Sequence, residues 1–221
     1  MKVGKITGVK NVSIKNHVEW AEFLNKSKAE DFTGDNYYGT NTNQFIIETE
    51  YPNWEECLNV FTEPNYSEKT EYPDRTQFSI NPELVSEKIT SWVLNKIKEH
   101  IKHFDNIYPF ESWAINYKDA GYQAVHNHTK QPSLISMIMF FDTITDEQRI
   151  QPTDGCTYTL MPHTDGNQMC SHFNPYPGKV IIFDGKVYHG TYPCKAPRRC
   201  FVVNFKFEYI TMEPKIDYKT L

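Results

Sequence analysis

The spacing of apolar residues along the chain changes character near position 105. Before that point two stretches carry the helical period. Residues 16–27 (NHVEWAEFLNKS) place Val18, Trp20, Ala21, Phe23 and Leu24 largely on one side of a helical wheel, which predicts a short amphipathic helix packed on a core. Between 82 and 104, Val85, Ile89, Trp92, Val93, Ile97, Ile101 and Phe104 recur at three- and four-residue steps. With Asn81 as a cap and Pro82 and Glu83 in the first turn, this predicts one long packing helix, on whose surface His100 and His103 would lie. Residues 30–80 are rich in Asn, Asp, Thr, Tyr and Pro with short apolar runs such as FIIETE, a pattern of irregular connections and short strands.

Beyond the helical stretch the texture is β. The segments ESWAINY, GYQAVHNH, SLISMIMFFD, GCTYTLMP, GKVIIFDG and RRCFVVNFKFEYI are strand-length and rich in Val, Ile, Phe, Tyr and Thr. Clusters of Gly, Asp, Asn and Pro at 118–121, 142–155, 162–178, 184–186 and 193–197 separate them. Helices followed by six or more short strands predict an α+β, mainly β chain, with helical and irregular support over 1–108 and a β core over 109–210, in a single domain spanning 1–221. The connections at 142–155 and 161–178 are longer than ordinary strand links and are candidate lids or substrate loops.

Composition narrows the class. A chain of 221 residues, 39% apolar and 23% charged, can bury enough surface to fold without staples. No run approaches the roughly 18 apolar residues of a membrane span, so no membrane partner is expected. The N-terminus alternates polar and apolar residues without the hydrophobic stretch of a secretory signal, which favours a cytoplasmic location, the host's if the chain is viral. Five cysteines, at 57, 156, 170, 194 and 200, are an odd number without a C-x-x-C and are expected to be reduced thiols. A net charge of −5 with dispersed Lys and Arg makes nucleic acid an unexpected partner.

The candidate chemistry is histidine-based. Side chains at i and i+2 of a strand share a face, so His126 and His128 can approach one ion together. Downstream, GKVIIFDGKVYHGTYPCKAPRRCFVVNF joins a Gly-led buried strand, a turn, His189, a Pro-containing turn, Arg198 and Arg199, and an alternating strand. From Trp113 to Phe207 this arrangement resembles the iron(II)- and 2-oxoglutarate-dependent oxygenases, particularly their prolyl-hydroxylase-like branch and the related proteins of bacteriophages and bacteria.

That resemblance implies a double-stranded β-helix (jelly-roll, cupin-like) core. It also implies Fe(II), 2-oxoglutarate and dioxygen as cofactor and co-substrates, and a hydroxylase-type activity on an unidentified small molecule or protein side chain. Carried over by position, His126 matches the family's first metal histidine and His189 the distal one. Arg199, ten residues further, matches the 2-oxoglutarate anchor, with Arg198 as its rival. Arg199 is preferred because Arg199, Phe201, Val203 and Phe205 share one strand face, which would point it into the barrel. Tyr117 resembles a tyrosine that reaches the co-substrate.

The departure is His128, where the family has a carboxylate; a neutral ligand leaves an Fe(II) site at +2 rather than +1. His128 as ligand, or Asp165 swinging in from a loop, remain alternatives. His163-Thr164-Asp165 is itself an H-x-D, but it lies in a Pro- and Gly-flanked tract close to His189. Cys156, His163, Cys170 and His172 have no recognised zinc spacing. Trp113, Phe140, Phe141 and Tyr158 are read as core. Two other classes stand beside this reading: a cupin-like dioxygenase that does not use 2-oxoglutarate, and a non-enzymatic β-barrel interaction module.

Overall fold

The structure, a computed structural model, describes residues 36–39, 44–101, 104–128, 134–162 and 168–209. The amphipathic stretch at 16–27 and the His163-Thr164-Asp165 motif lie outside the described residues.

Among the described residues twelve strands form two antiparallel sheets. The larger contains β1 (Asn36–Gly39), β2 (Phe45–Glu50), β3 (Glu68–Glu71), β4 (Arg75–Ile80), β5 (Phe104–Tyr117), β7 (Leu134–Phe140), β10 (Lys179–Asp184) and β12 (Arg198–Tyr209). Their order is β1-β2-β10-β7-β12-β5-β4-β3. The smaller sheet is β6 (Gln123–His126), β11 (Tyr188–Thr191), β8 (Thr157–Pro162) and β9 (Gln168–Phe173), in the order β6-β11-β8-β9. Among its described residues, segment 161–178 holds the end of β8 and all of β9. Its strand β9 went unpredicted because QMCSHF lacks β-branched residues, although its paired partner β8 supplies them.

The central strands of the larger sheet are apolar on both faces, and the two faces feed separate cores. Ile46, Ile115, Ile138, Phe140, Ile181, Phe183 and Val202 meet Met161 and Phe173 of the smaller sheet. On the opposite face Ile47, Ala114, Met137, Met139, Ile182, Phe201, Val203 and Phe205 pack against Ile89, Val93 and Ile97 of the helix α1 (Glu87–His100). All seven residues of β7 are buried, as expected of a strand covered on both sides.

The predicted helix from 82 to 104 is shorter than its apolar pattern. Asn81 does cap, accepting from the Glu83 N–H at 3.1 Å, but it caps a separate 3-10 turn, Pro82–Leu84. Val85 is extended, and Ser86 then caps α1 through its hydroxyl on the Ile89 N–H at 3.3 Å. Two competing caps thus divide one periodic stretch. A further 3-10 helix, Trp54–Phe61, covers the same core, with Phe61 set edge-on against Phe78 and Phe141. Among the described residues no helix is long and apolar enough to cross a membrane.

The connection at 142–155 is organised around Arg149 rather than left open. Its guanidinium donates to the carbonyls of Ile144 and Pro152, at 3.2 Å each, and to that of Asp154. The Asp154 carboxylate in turn accepts from the N–H groups of Ile150 and Gln151.

Candidate metal centre

Pairing of β6 with β11 sets His126 directly across from His189. β6 ends at His126, so His128 is not part of that strand, contrary to expectation; it follows two residues later, tied by its backbone N–H to the Gly185 carbonyl at 2.8 Å. The three rings nonetheless converge. One ring nitrogen from each lies within 4.8 Å of the others, and the ring centroids are 4.2 Å (126–189), 5.0 Å (128–189) and 5.4 Å (126–128) apart.

Glycine at 190 makes this approach possible. A Cβ there would come within 2.8 Å of the Gln123 carbonyl of β6 and 2.6 Å of the Tyr158 hydroxyl.

Each imidazole has one nitrogen committed to the protein. His126 Nδ1 donates to the Ala124 carbonyl at 2.9 Å and His189 Nδ1 to the Val187 carbonyl at 3.0 Å. His128 Nδ1 meets Ser136 Oγ at 2.8 Å and Asn204 Oδ1 at 3.0 Å. A carbonyl only accepts, so Nδ1 carries the proton and Nε2 keeps its lone pair for a metal. Burial pushes the His189 pKa down to about 3, helped by the charge on His126, and burial also lowers that of His128. Both effects hold the rings in the neutral, ligating form. Three imidazoles that each commit Nδ1 to the protein and leave Nε2 available fit a divalent transition metal.

His126 and His189 border a cavity of about 520 Å³ between the sheets. Arg198, Tyr117, Thr157 and Thr191 line the same cavity. Arg198 is 3% exposed. Its guanidinium lies 4.3 Å from the Tyr117 ring and donates to the Tyr192 carbonyl at 2.9 Å and to Cys194 Sγ at 3.1 Å. Among the described residues no carboxylate pairs with it. The Thr157 hydroxyl, of a residue lining the same cavity, is buried without a hydrogen-bond partner among the described residues. Burial raises the Tyr117 pKa, so its phenol stays protonated.

Arg199 is turned the other way. Its side chain makes a two-pronged ion pair with Asp142, at 2.8 and 3.0 Å, and is 38% exposed. Phe201, Val203 and Phe205 do share its face, but that face meets α1 rather than the jelly-roll interior. The interior face of β12 is Arg198, Cys200, Val202 and Asn204. Phe140 and the partly buried Trp113 pack in the core between the sheets and also line the cavity, while Phe141 lies in the other core. Tyr158 is half-buried against Tyr192, at 4.6 Å between rings.

Two site residues escaped the sequence reading. Ser136 and Asn204 each interrupt an otherwise apolar run, LISMIMF and CFVVNF, and a lone polar residue in a strand buried on both faces is the signal that would have found them.

No protein-family model matches the chain, and no curated protein matches it. Solved structures do. An oxidoreductase of the 2OG-Fe(II) oxygenase family from Burkholderia pseudomallei aligns over 86% of this chain and 90% of its own, with TM-score 0.53 and 10% identity. HygX from Streptomyces hygroscopicus, with nickel, 2-oxoglutarate and hygromycin B bound, aligns over 73% of this chain and 82% of its own, with TM-score 0.53 and 10% identity. A truncated form of the viral collagen prolyl hydroxylase of Paramecium bursaria Chlorella virus-1 aligns over 80% and 97%, with TM-score 0.52 and 13% identity. At these identities the likeness is one of fold: the chain has the double-stranded β-helix jelly roll of the solved 2-oxoglutarate and Fe(II) oxygenases.

Proposed function

We propose that the chain is an Fe(II)- and 2-oxoglutarate-dependent oxygenase, of hydroxylase type, acting on a small molecule or a protein side chain. The observation that carries this reading is the convergence of three histidines, two of them on the wall of one cavity, with a buried guanidinium on that same wall that has no carboxylate partner among the described residues. A buried cation without a counter-charge is costly unless a ligand supplies one. An anion bound beside a divalent metal satisfies both parts of the cavity.

His126, His128 and His189 would hold the metal through Nε2. Bound there, Fe(II) supplies the redox chemistry that couples decarboxylation of 2-oxoglutarate, to succinate and carbon dioxide, with oxidation of the second substrate by dioxygen. The chain's own contribution is positional and electrostatic. Arg198 offers a planar fork matched to the far carboxylate of 2-oxoglutarate, and the Thr157 and Tyr117 hydroxyls can add donors to the same group. Ile138, Phe140 and Val202, on the cavity wall, keep that end apolar and exclude water.

The test is anaerobic titration of metal-free protein with Fe(II) and then 2-oxoglutarate, followed through the weak visible charge-transfer band of the chelate. The wild type is expected to develop the band, and His126→Ala and His189→Ala to lack it. A folded wild type without a band would sink the proposal.

A further inference from the structure

The third ligand position differs chemically from the other two. His126 and His189 each give Nδ1–H to a backbone carbonyl, a neutral and local partner. His128 gives its Nδ1–H to a side-chain chain that ends in a charge. Ser136 Oγ accepts from it at 2.8 Å and donates to Asn204 Oδ1 at 2.7 Å, while Asn204 Oδ1 also lies 3.0 Å from Nδ1. The other end of the amide, Asn204 Nδ2, donates to Glu111 Oε2 at 3.1 Å. That bond fixes which way the amide points, so its oxygen must face His128. Glu111 stands directly across from Asn204 in the pairing of β5 with β12, at the cavity wall. Ser136 is fully buried and Asn204 is 1% exposed, which removes water as a competing partner.

We infer that Asn204 and Glu111 are positioning residues for the metal. Asn204 locks His128 as the Nδ1–H tautomer, and Glu111 delivers through the amide the negative charge that a carboxylate at position 128 would have supplied directly. Each bond in the chain polarises the next in the same sense, toward greater electron density at His128 Nε2. The inference rests on the metal-binding reading above and assigns that site its outer support.

The experiment is titration of the full-length, metal-free protein with Co(II), read by its visible d–d absorption and by calorimetry, with thermal unfolding of each variant alongside. Gln at position 111 can still accept from Asn204 Nδ2, so Glu111→Gln removes charge and little else. It is expected to lower Co(II) affinity about 5-fold at unchanged thermal stability, less than the 10- to 100-fold typical when a group contacting a ligand is lost. Asn204→Leu, which removes the acceptor, is expected to lower affinity by about 10- to 100-fold. The double variant Glu111→Gln with Asn204→Asp swaps carboxylate and amide, keeping a hydrogen bond between the two positions with its direction reversed and an oxygen acceptor facing His128, and is expected to bind Co(II) at least as tightly as wild type.

If Glu111→Gln binds Co(II) as tightly as wild type, the charge relay is overturned. If the folded double variant binds as weakly as Asn204→Leu, the positioning role of residue 204 is overturned. A wild type that takes up no Co(II) overturns the metal-site reading itself, a distinct result because the variants then have nothing to modulate.

Discussion

Removing the Arg198 side chain takes a buried charge out of the cavity, whereas removing that of Arg199 breaks a partly exposed ion pair on the other side of the sheet. The two substitutions should therefore separate cleanly. Arg198→Ala is expected to weaken 2-oxoglutarate binding by about 30-fold or more, the loss that follows truncation of one partner of a buried charge pair, with Fe(II) affinity near wild type. Arg199→Ala is expected to leave 2-oxoglutarate binding unchanged and to cost about 1 kcal/mol of stability, the upper end for an exposed pair. Calorimetric titration of 2-oxoglutarate into the Fe(II)-loaded variants checks both. A larger loss of 2-oxoglutarate affinity in Arg199→Ala would reverse the assignment. The sequence left these two residues unresolved for a physical reason. Strand alternation separates odd from even positions on β12, but both faces are apolar because cores lie on both sides of the sheet. Alternation identifies the interior face only when the other face is wet.

At the scale of elements, two of the three candidate metal ligands face each other across one strand pair, β6 and β11. Gly190→Ala would push the Gln123 carbonyl of β6 away from β11, and with it His126 away from His189. The expected result is a folded protein with metal affinity reduced by about 10-fold or more, since the ligands lose their common focus. Ile97→Ala, by contrast, opens a cavity in the core under α1, where Ile97 is fully buried. It is expected to cost about 3 kcal/mol in urea unfolding while leaving metal affinity unchanged. Equal effects of both substitutions on metal binding would mean that the two faces of the larger sheet are not mechanically separate. Element reading from sequence succeeded where a strand-length run of β-branched, aromatic and other apolar residues was bounded by turn residues, as in β7, β10 and β12. It missed β9, whose place depends on its partner, and it fused two capped helical turns into one because Asn81 and Ser86 are both competent caps. His126 and His189 were legible through the family resemblance of the segments that carry them, whereas His128 joins them from just beyond the end of β6, where the strand period does not apply. The Ser136 and Asn204 supports of His128 come from β7 and β12, strands whose adjacency to each other is a matter of topology.

At the scale of the whole molecule, stability against acid should carry the signature of a histidine held neutral by the fold. His172, on β9 outside the metal centre, is stacked on Tyr192 at 5.7 Å, and burial pushes its pKa from 6.5 down to about 4. Above pH 6.5 neither folded nor unfolded chain is protonated there, so the site contributes no pH dependence. Between 6.5 and about 4 the unfolded chain takes up a proton that the folded chain refuses, and stability must fall as the pH falls. Below about 4 both states are protonated and the slope from this group vanishes. His172→Phe keeps a ring against Tyr192 and cannot take a proton. Urea unfolding at several pH values between 7.5 and 4 is expected to show a wild-type-minus-variant difference that is constant above pH 7 and declines steadily through the acid window. Other groups titrate in that range, including His189 in the metal-free protein, but they are common to both chains and cancel in the difference. A difference that stays flat down to pH 4 would mean that His172 is protonated as readily in the fold as in water, and that the outer face of the smaller sheet is more open than its packing implies.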